Sequence, residues 1–186
     1  MPEIDELLAE NAALRERIGH LEREIEHLRL HPTIASGFRG ETLVAQLTEG
    51  TLTPYAEQHD LLVGSQVKIE VKFSKLNTPN LTSNTRRWNW GKPLGLFDQG
   101  KEFDFLVLVG EKDWNFPEQY LDSEPYVYIL LHNNDVAKVV TSGKTFGANI
   151  QLTTNFSTVK SAKSKFLISR MVPARELKNL TRTPPS

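Results

Sequence analysis

At 186 residues with 39% hydrophobic content, the chain can form one hydrophobic core of ordinary size plus an appendage. The absence of cysteine excludes disulfides and thiolate sites, and the charged first 20 residues and lack of a long apolar run predict a soluble, cytoplasmic protein. The formal net charge of −1 is uneven: residues 1–31 carry four Arg against eight Asp or Glu, and residues 138–186 carry nine Lys or Arg against one acidic residue. A basic C-terminal part suits a polyanionic partner, with a solvated Lys-rich surface as the alternative.

Residues 3 to about 30 carry the heptad repeat of a coiled coil. Ile at the a positions and Leu at the d positions favour two parallel strands, and Asn11 at one a position specifies the register and the dimer. Three charge pairs of opposite sign face each other across a parallel dimer: Glu10 with Arg15, Arg17 with Glu22, and Glu24 with Arg29. The predicted dimerisation residues are Ile4, Leu7, Asn11, Leu14, Ile18, Leu21, Ile25 and Leu28.

Two other interpretations of this segment compete with a dimeric coiled coil. A basic-zipper transcription factor needs a basic region before its zipper, and here the repeat starts almost at Met1, so we reject it. A helix packed on its own domain is the remaining alternative, although its polar face is charged all round. Because Pro32 forces His31 out of the helical conformation, we predict a dimerisation helix over residues 1–31 and a second domain over residues 32–186.

Residues 36–47 have the pattern of a short amphipathic helix. Leu43, Val44 and Leu47 fall on its inward face, and Gly50 is the predicted stop.

Residues 59–73 predict a β-hairpin. Two apolar runs are separated by a Gly-Ser turn, and in the second run apolar residues alternate with Lys68, Glu70 and Lys72. The period of two places one set of side chains in the core and the polar set on the other face.

The length of the hairpin loop decides whether the acidic residues meet. A two-residue loop would turn Asp60 away from Glu70, whereas an odd-numbered loop places them directly opposite each other. We predict a three-residue loop over residues 64–66, with Gly64 or Ser65 in the strained backbone conformation. Two carboxylates beside the Lys72 ammonium group repel each other unless a cation lies between them, and Mg²⁺ prefers such oxygen ligands.

A long polar stretch follows over residues 75–95, and its length predicts a functional loop. Its Arg, Asn and Thr side chains suit nucleic acid, with phosphate contacts favoured over base contacts for Arg86, Arg87 and Lys92. Trp88 and Trp90 either stack on bases or anchor the loop in the core, and we favour anchoring. The candidate DNA-binding residues, here and in the basic C-terminal part, are Lys75, Asn77, Asn84, Arg86, Arg87, Lys92, Lys144, Lys160 and Lys163.

The remaining chain supplies further sheet and closing helices. Strands are predicted over residues 103–109, 126–131, 148–152 and 165–168, with a turn over 110–112 and a short helix over 172–180. The order of these elements predicts an α/β fold in which helices flank a central sheet.

Asp60, followed after nine residues by Glu70-Val71-Lys72, resembles the signature of the PD-(D/E)XK nuclease superfamily, which has the restriction-endonuclease-like fold. His59 stands where the superfamily often has Pro. The resemblance implies a mixed central sheet flanked by helices. It also implies that Asp60, Glu70 and the backbone carbonyl of Val71 bind Mg²⁺, with Mn²⁺ able to replace it, and that Lys72 helps to orient and deprotonate the attacking water.

The same resemblance extends to the preceding helix. Members of the superfamily often carry a Gly-x-x-x-Glu element there, whose Glu helps to bind the metal, and Gly37 and Glu41 match it. Without the resemblance, Glu41 would be an ordinary exposed helix residue.

The function implied is that of a type II restriction endonuclease, which cuts duplex DNA at a specific sequence and leaves 5′-phosphates. A parallel coiled coil makes a homodimer with one active site for each strand. The alternatives are a structure-selective repair or junction-resolving nuclease of the same fold, and a non-catalytic, zipper-dimerised DNA-binding protein in which Asp60, Glu70 and Lys72 are surface charges.

Overall fold

The computed structural model describes residues 2–54, 57–64, 66–77, 85–94, 101–143 and 147–181. The chain divides into two compact units, Met1–Phe38 and Arg39–Ser186. The domain boundary expected at residue 31 lies at the bend between the first two helices, before the point where the compact units divide.

Helix α1 covers Pro2–Arg29, as the heptad repeat predicts. Its seam residues are 46% to 61% exposed at Ile4, Leu7, Leu14, Ile18, Leu21 and Ile25. Asn11 is exposed on the same helix, and the side chain of Leu28 lies outside what is described. An apolar stripe of this length on a charged helix is open to a partner. None of the described helices combines the length and the apolar character needed to cross a membrane.

Helix α2 covers Pro32–Thr48 and begins four residues before the predicted start at Ser36. Pro32 therefore opens this helix as well as separating it from α1, because proline is well suited to a first helical turn. Val44 is completely buried in the core, as its inward position predicts. The residue in the left-handed conformation at the C-terminal end is Glu49, with φ 56°, and the predicted stop, Gly50, comes one position later.

The central sheet has six strands. In chain order the strands of the whole fold are β1 (Thr51–Leu52), β2 (Leu61–Val63), β3 (Val67–Ser74), β4 (Arg87–Gly91), β5 (Phe105–Glu111), β6 (Tyr126–His132), β7 (Thr141–Gly143), β8 (Gly147–Thr153) and β9 (Met171–Val172). The central sheet has the order β1-β2-β3-β5-β6-β9, and among its strand pairs in the described residues only β3–β5 is parallel. A smaller antiparallel sheet has the order β4-β8-β7.

Three short α-helices complete the fold: α3 (Asn133–Val139), α4 (Ala162–Ser169) and α5 (Ala174–Leu177). The chain is therefore an α/β protein with a mixed central sheet and flanking helices, as predicted. The central sheet separates two cores, because alternate residues of β5 point to opposite faces. Val107 and Val109 join the core that includes Val44 of α2, and Leu106 and Leu108 join the core that includes the smaller sheet.

Two predicted elements were wrong. Residues 165–168 belong to α4 rather than to a strand, because Ser161 caps that helix by accepting a hydrogen bond from the Ser164 amide at 3.1 Å. Gly110 and Glu111 belong to β5 rather than to a turn. A Cβ atom at Gly110 would lie 2.6 Å from Trp88 Nε1, so glycine is needed there to let the indole pack on the strand.

Candidate functional site

The β2–β3 hairpin has the predicted geometry. Val63 pairs with Val67, which leaves a three-residue loop over residues 64–66, and Gly64 has φ 57°. Beyond the last strand pair, the Asp60 amide donates to the Ile69 carbonyl at 3.0 Å. In this register Asp60 lies opposite Glu70.

Glu70 is the centre of the site. Its side chain is completely buried, and it shares a sheet face with its neighbour Leu106. Its Oε1 atom accepts hydrogen bonds from the Lys72 ammonium group and, at 2.5 Å, from the Lys101 ammonium group. Its Oε2 atom is buried and has no hydrogen-bond partner among the described residues. A buried carboxylate oxygen without a partner is rare and calls for an explanation such as a missing ligand.

Asp60 is held by the backbone of the opposite strand. Its Oδ2 atom accepts from the Val71 amide at 2.8 Å and lies 4.0 Å from Lys72 Nζ. Its Oδ1 atom lies 3.7 Å from Lys101 Nζ. Lys72 Nζ also donates to the Val71 carbonyl at 3.2 Å. The hairpin register thus brings Asp60, Glu70, Lys72 and the backbone of Val71 together.

Two acidic side chains of the site, Glu70 and Glu41, have raised pKa values. Burial raises the pKa of Glu70, although the neighbouring ammonium groups oppose the shift. Burial, followed by the negative charge of Asp60, raises the pKa of Glu41 to about 7. Burial is the largest influence on Lys101 and disfavours its charged form, but the hydrogen bond and charge of Glu70 together with the charges of Asp60 and Glu41 outweigh it, and the pKa of Lys101 is raised. The site thus holds closely spaced carboxylates whose mutual repulsion is reduced by cations.

Lys101 is a site residue that the sequence analysis missed. It precedes β5, which lies beside β3 in the sheet, and the parallel pairing brings this end of the chain to Glu70. No periodicity or spacing relates it to the hairpin. The only signal in the sequence is an imbalance of charge. The predicted site has two carboxylates, Asp60 and Glu70, but only one ammonium group, that of Lys72.

The oxygen donors here fit a hard divalent cation. Among the described residues, no group of three or more His, Cys, Asp or Glu side chains is arranged to hold a metal. Mg²⁺, however, is commonly bound by only one or two carboxylates, with water and substrate phosphate completing its shell. Asp60, the unpartnered Oε2 of Glu70 and the Val71 carbonyl supply such donors, and the charge of Glu41 acts on the same site.

The predicted DNA-binding residues are distributed over several elements. Exposed side chains are found at Lys75, Asn77, Arg87, Lys92, Lys160 and Lys163. Arg86 is partly buried and forms an ion pair with Asp113 at 3.4 Å. Lys163 donates to the Val140 carbonyl at 2.9 Å. Asn84 and Lys144 lie outside the described residues.

The tryptophans of the polar stretch are core anchors, as favoured. Trp88 and Trp90 are completely buried on β4. Their indole N–H groups donate to the Glu111 and Val109 carbonyls of β5, both at 2.8 Å. Part of the predicted functional loop is therefore a strand that attaches the smaller sheet to the central one.

No known family model matches the chain, and no curated protein is significantly similar to it in sequence. Any functional conclusion consequently depends on the geometry of the site itself.

Proposed function

We propose that this protein is a Mg²⁺-dependent DNA endonuclease with the restriction-endonuclease-like fold, active as a homodimer. The observation that carries the proposal is the convergence of Asp60, Lys72 and the buried, unpartnered Oε2 of Glu70 at one point of the hairpin. Carboxylates that can hold a metal, with an adjacent ammonium group that can stabilise developing negative charge, suit metal-assisted phosphodiester hydrolysis.

Each residue of the site has a role in this proposal. Asp60, Glu70 and the Val71 carbonyl would hold Mg²⁺, with Glu41 completing the shell. A bound Mg²⁺ supplies Lewis-acid activation of the phosphate and lowers the pKa of the attacking water. Lys72 orients that water and donates to the phosphate oxygen on which negative charge develops. Hydrolysis breaks the bond between phosphorus and the 3′ oxygen, leaving a 5′-phosphate and a 3′-hydroxyl.

The surface charge of the second unit supports a polyanionic substrate. Exposed basic side chains occur at Lys75, Arg87 and Lys92, close in sequence to β3 and β4. Contacts of this kind neutralise phosphates and weaken as salt is raised. We expect them to contribute affinity rather than sequence readout.

The exposed apolar seam of α1 supports dimerisation through a parallel coiled coil. The twofold axis of such a dimer relates two active sites of opposite orientation, which suits antiparallel DNA strands. A type II restriction endonuclease is the specific form that we propose.

The first test is cleavage of supercoiled plasmid and unmethylated phage DNA with Mg²⁺ or with chelator. Discrete fragments that require Mg²⁺ and disappear in Glu70→Gln are the expected result. The matched control is Glu102→Gln, which makes the same change at an exposed glutamate that pairs with Lys68 instead of with Lys72 or Lys101. Equal cleavage by wild type and Glu70→Gln would contradict the assignment.

Dimerisation is tested separately by analytical ultracentrifugation. Leu14→Glu at a seam position should convert the dimer into monomers and reduce double-strand cleavage to nicking or inactivity. Ala13→Glu introduces the same charge at an exposed position off the seam and should leave the dimer intact. A monomeric wild-type protein would contradict the homodimer.

Two other functions are distinguished by the same assays. A twofold-symmetric dimer also suits a structure-selective nuclease, which would cut branched DNA in preference to plasmid. The pairing of Lys72 and Lys101 with Glu70 also suits a non-catalytic DNA-binding protein, because two ammonium groups already offset the two carboxylates. DNA binding with neither cleavage nor any Mg²⁺ effect on Tm would favour that function.

A further inference from the structure

Lys101 lies beside Oδ1 of Asp60, the oxygen that does not accept from the Val71 amide. The Val71 amide occupies Oδ2 of Asp60, and Lys72 also approaches the carboxylate from the Oδ2 side. Lys101 Nζ is instead 3.7 Å from Oδ1 and 2.5 Å from Oε1 of Glu70. The Lys101 ammonium group therefore bridges Oδ1 of Asp60 and Oε1 of Glu70.

The charges of this cluster balance without a metal. When both are ionised, Asp60 and Glu70 carry two negative charges, which the ammonium groups of Lys72 and Lys101 match with two positive charges. A divalent cation added to the same carboxylates would be repelled by an ammonium group only a few ångströms away. One of the two ammonium groups must move for a metal to bind well.

We propose that Lys101 is an internal counter-ion that occupies the space between Asp60 and Glu70 in the metal-free protein and is displaced when a divalent cation binds there. This inference rests on the proposed function, since it assumes that these carboxylates bind a metal. Lys101 acts through the carboxylates and is a positioning residue.

Lys101 is better suited than Lys72 to move. Lys72 extends from the middle of β3 and has an additional hydrogen bond to the Val71 carbonyl. Lys101 precedes β5 outside any regular element, so its backbone is not held by a strand ladder. The two side chains are almost equally exposed, and the flexible stem of Lys101 has a path to water. At a fixed protonation of Glu41, exchanging one ammonium group for a divalent cation makes the cluster more positive by one charge, which favours a phosphodiester.

The test measures metal affinity in the absence of DNA. Protein freed of metal with chelator is titrated with Mg²⁺, and the increase in Tm is followed for wild type, Lys101→Met, Lys101→Arg and Lys68→Met. Lys68→Met is the matched control, because Lys68 pairs with Glu102 at 2.7 Å on the same hairpin but away from the cluster. We expect Lys101→Met to bind Mg²⁺ on the order of tenfold more tightly than wild type, because a competing charge is removed. Lys101→Arg and Lys68→Met should resemble wild type.

The outcomes separate this inference from the proposed function. Equal or weaker Mg²⁺ binding by Lys101→Met, with a normal response of wild type, would overturn the counter-ion role and leave the metal site standing. Failure of every variant to respond would overturn both. Tighter binding by Lys101→Met in a protein that cuts no DNA would support the exchange and contradict the nuclease.

Discussion

The two ends of β5 both adjoin buried charged groups, and they differ in how completely those groups are paired. Near the start of β5, Oε1 of Glu70 accepts hydrogen bonds from two ammonium groups, and Oε2 has no hydrogen-bond partner among the described residues. After β5, Lys112 donates to the backbone carbonyl and the Oδ1 atom of Asp122, both at 2.6 Å, and lies over the Tyr120 ring. Complete pairing is typical of a structural ion pair, and an unpaired buried oxygen is typical of a functional site.

The pKa values of the two clusters shift in opposite directions. Burial would raise the pKa of Asp122, but the hydrogen bonds from Lys112 and from the Ala174 amide hold it below its ordinary value. Burial prevails at Glu70, whose pKa is raised despite its ammonium partners. Ionisation of Asp122 therefore stabilises the fold, whereas ionisation of Glu70 destabilises it. We infer that the charge of Glu70 does not serve stability.

The largest expected effect is on cleavage, in Glu70→Gln. The variant should cut DNA about a thousandfold more slowly, because it loses a metal ligand worth several kcal/mol in the transition state. Its free energy of unfolding in chelator should change by less than about 1 kcal/mol, since ionisation of Glu70 is already disfavoured. Urea denaturation and plasmid cleavage measure the two effects, and a large loss of stability would break the contrast between the clusters.

The next largest effect is on stability, in Asp122→Ala. This variant leaves the buried Lys112 ammonium group without its carboxylate, which should lower the free energy of unfolding by about 3 kcal/mol. Cleavage per folded molecule should remain at the wild-type level. Glu102→Ala removes a carboxylate from an exposed pair and serves as the control, with little change expected. Full stability of Asp122→Ala would show that the second cluster is not a structural ion pair.

A smaller effect depends on pH, in Glu41→Gln. The pKa of Glu41 is about 7 in the folded protein against an ordinary value of 4.5. The stability contributed by the proton on Glu41 is therefore complete below pH 4.5, and it is lost as the pH rises through about 7. The difference between these two pKa values corresponds to about 3 kcal/mol, which solvent screening of this partly buried side chain reduces. In chelator, Glu41→Gln should be more stable than wild type by about 2 kcal/mol at about pH 8, and equal to it below about pH 4.5.

Urea denaturation across this pH range measures the difference, with Glu102→Gln as the control of opposite sign. The hydrogen bond from Lys68 lowers the pKa of Glu102, so that variant should lose rather than gain stability at neutral pH. A difference for Glu41→Gln that is the same at every pH would contradict the raised pKa.

The smallest effect concerns the helix that carries Glu41. Glu49 ends α2 at φ 56°, a conformation in which glycine has no steric penalty. Glu49→Gly should therefore raise the free energy of unfolding by up to about 1 kcal/mol, while DNA cleavage stays unchanged. Lower stability would indicate that the Glu49 side chain contributes contacts that outweigh its backbone strain.

The local elements with strong periodic signals were predictable. The heptad repeat placed α1, and Gly64 with the alternation after it placed the hairpin loop and its register. The strands β6 and β8 lay where apolar runs predicted them. In each case the deciding interactions are close in sequence, so periodicity and turn chemistry are sufficient.

Two other elements were not predictable from periodicity alone. The short apolar run at residues 165–168 suits either a strand or a helix, and the cap at Ser161 decided it. Gly110 resembles a turn residue in the sequence, but it lies within β5 because Trp88 packs on it.

The sequence by itself determined that the side chains of Asp60, Glu70 and Lys72 lie close together, because a hairpin with a three-residue loop admits only one register. Only the tertiary structure decided that Glu70 is completely buried and that Lys101 reaches it. Both depend on the parallel pairing of β3 with β5, strands separated by thirty residues of chain. Contacts across such a separation follow from how the elements pack, and no local pattern encodes them.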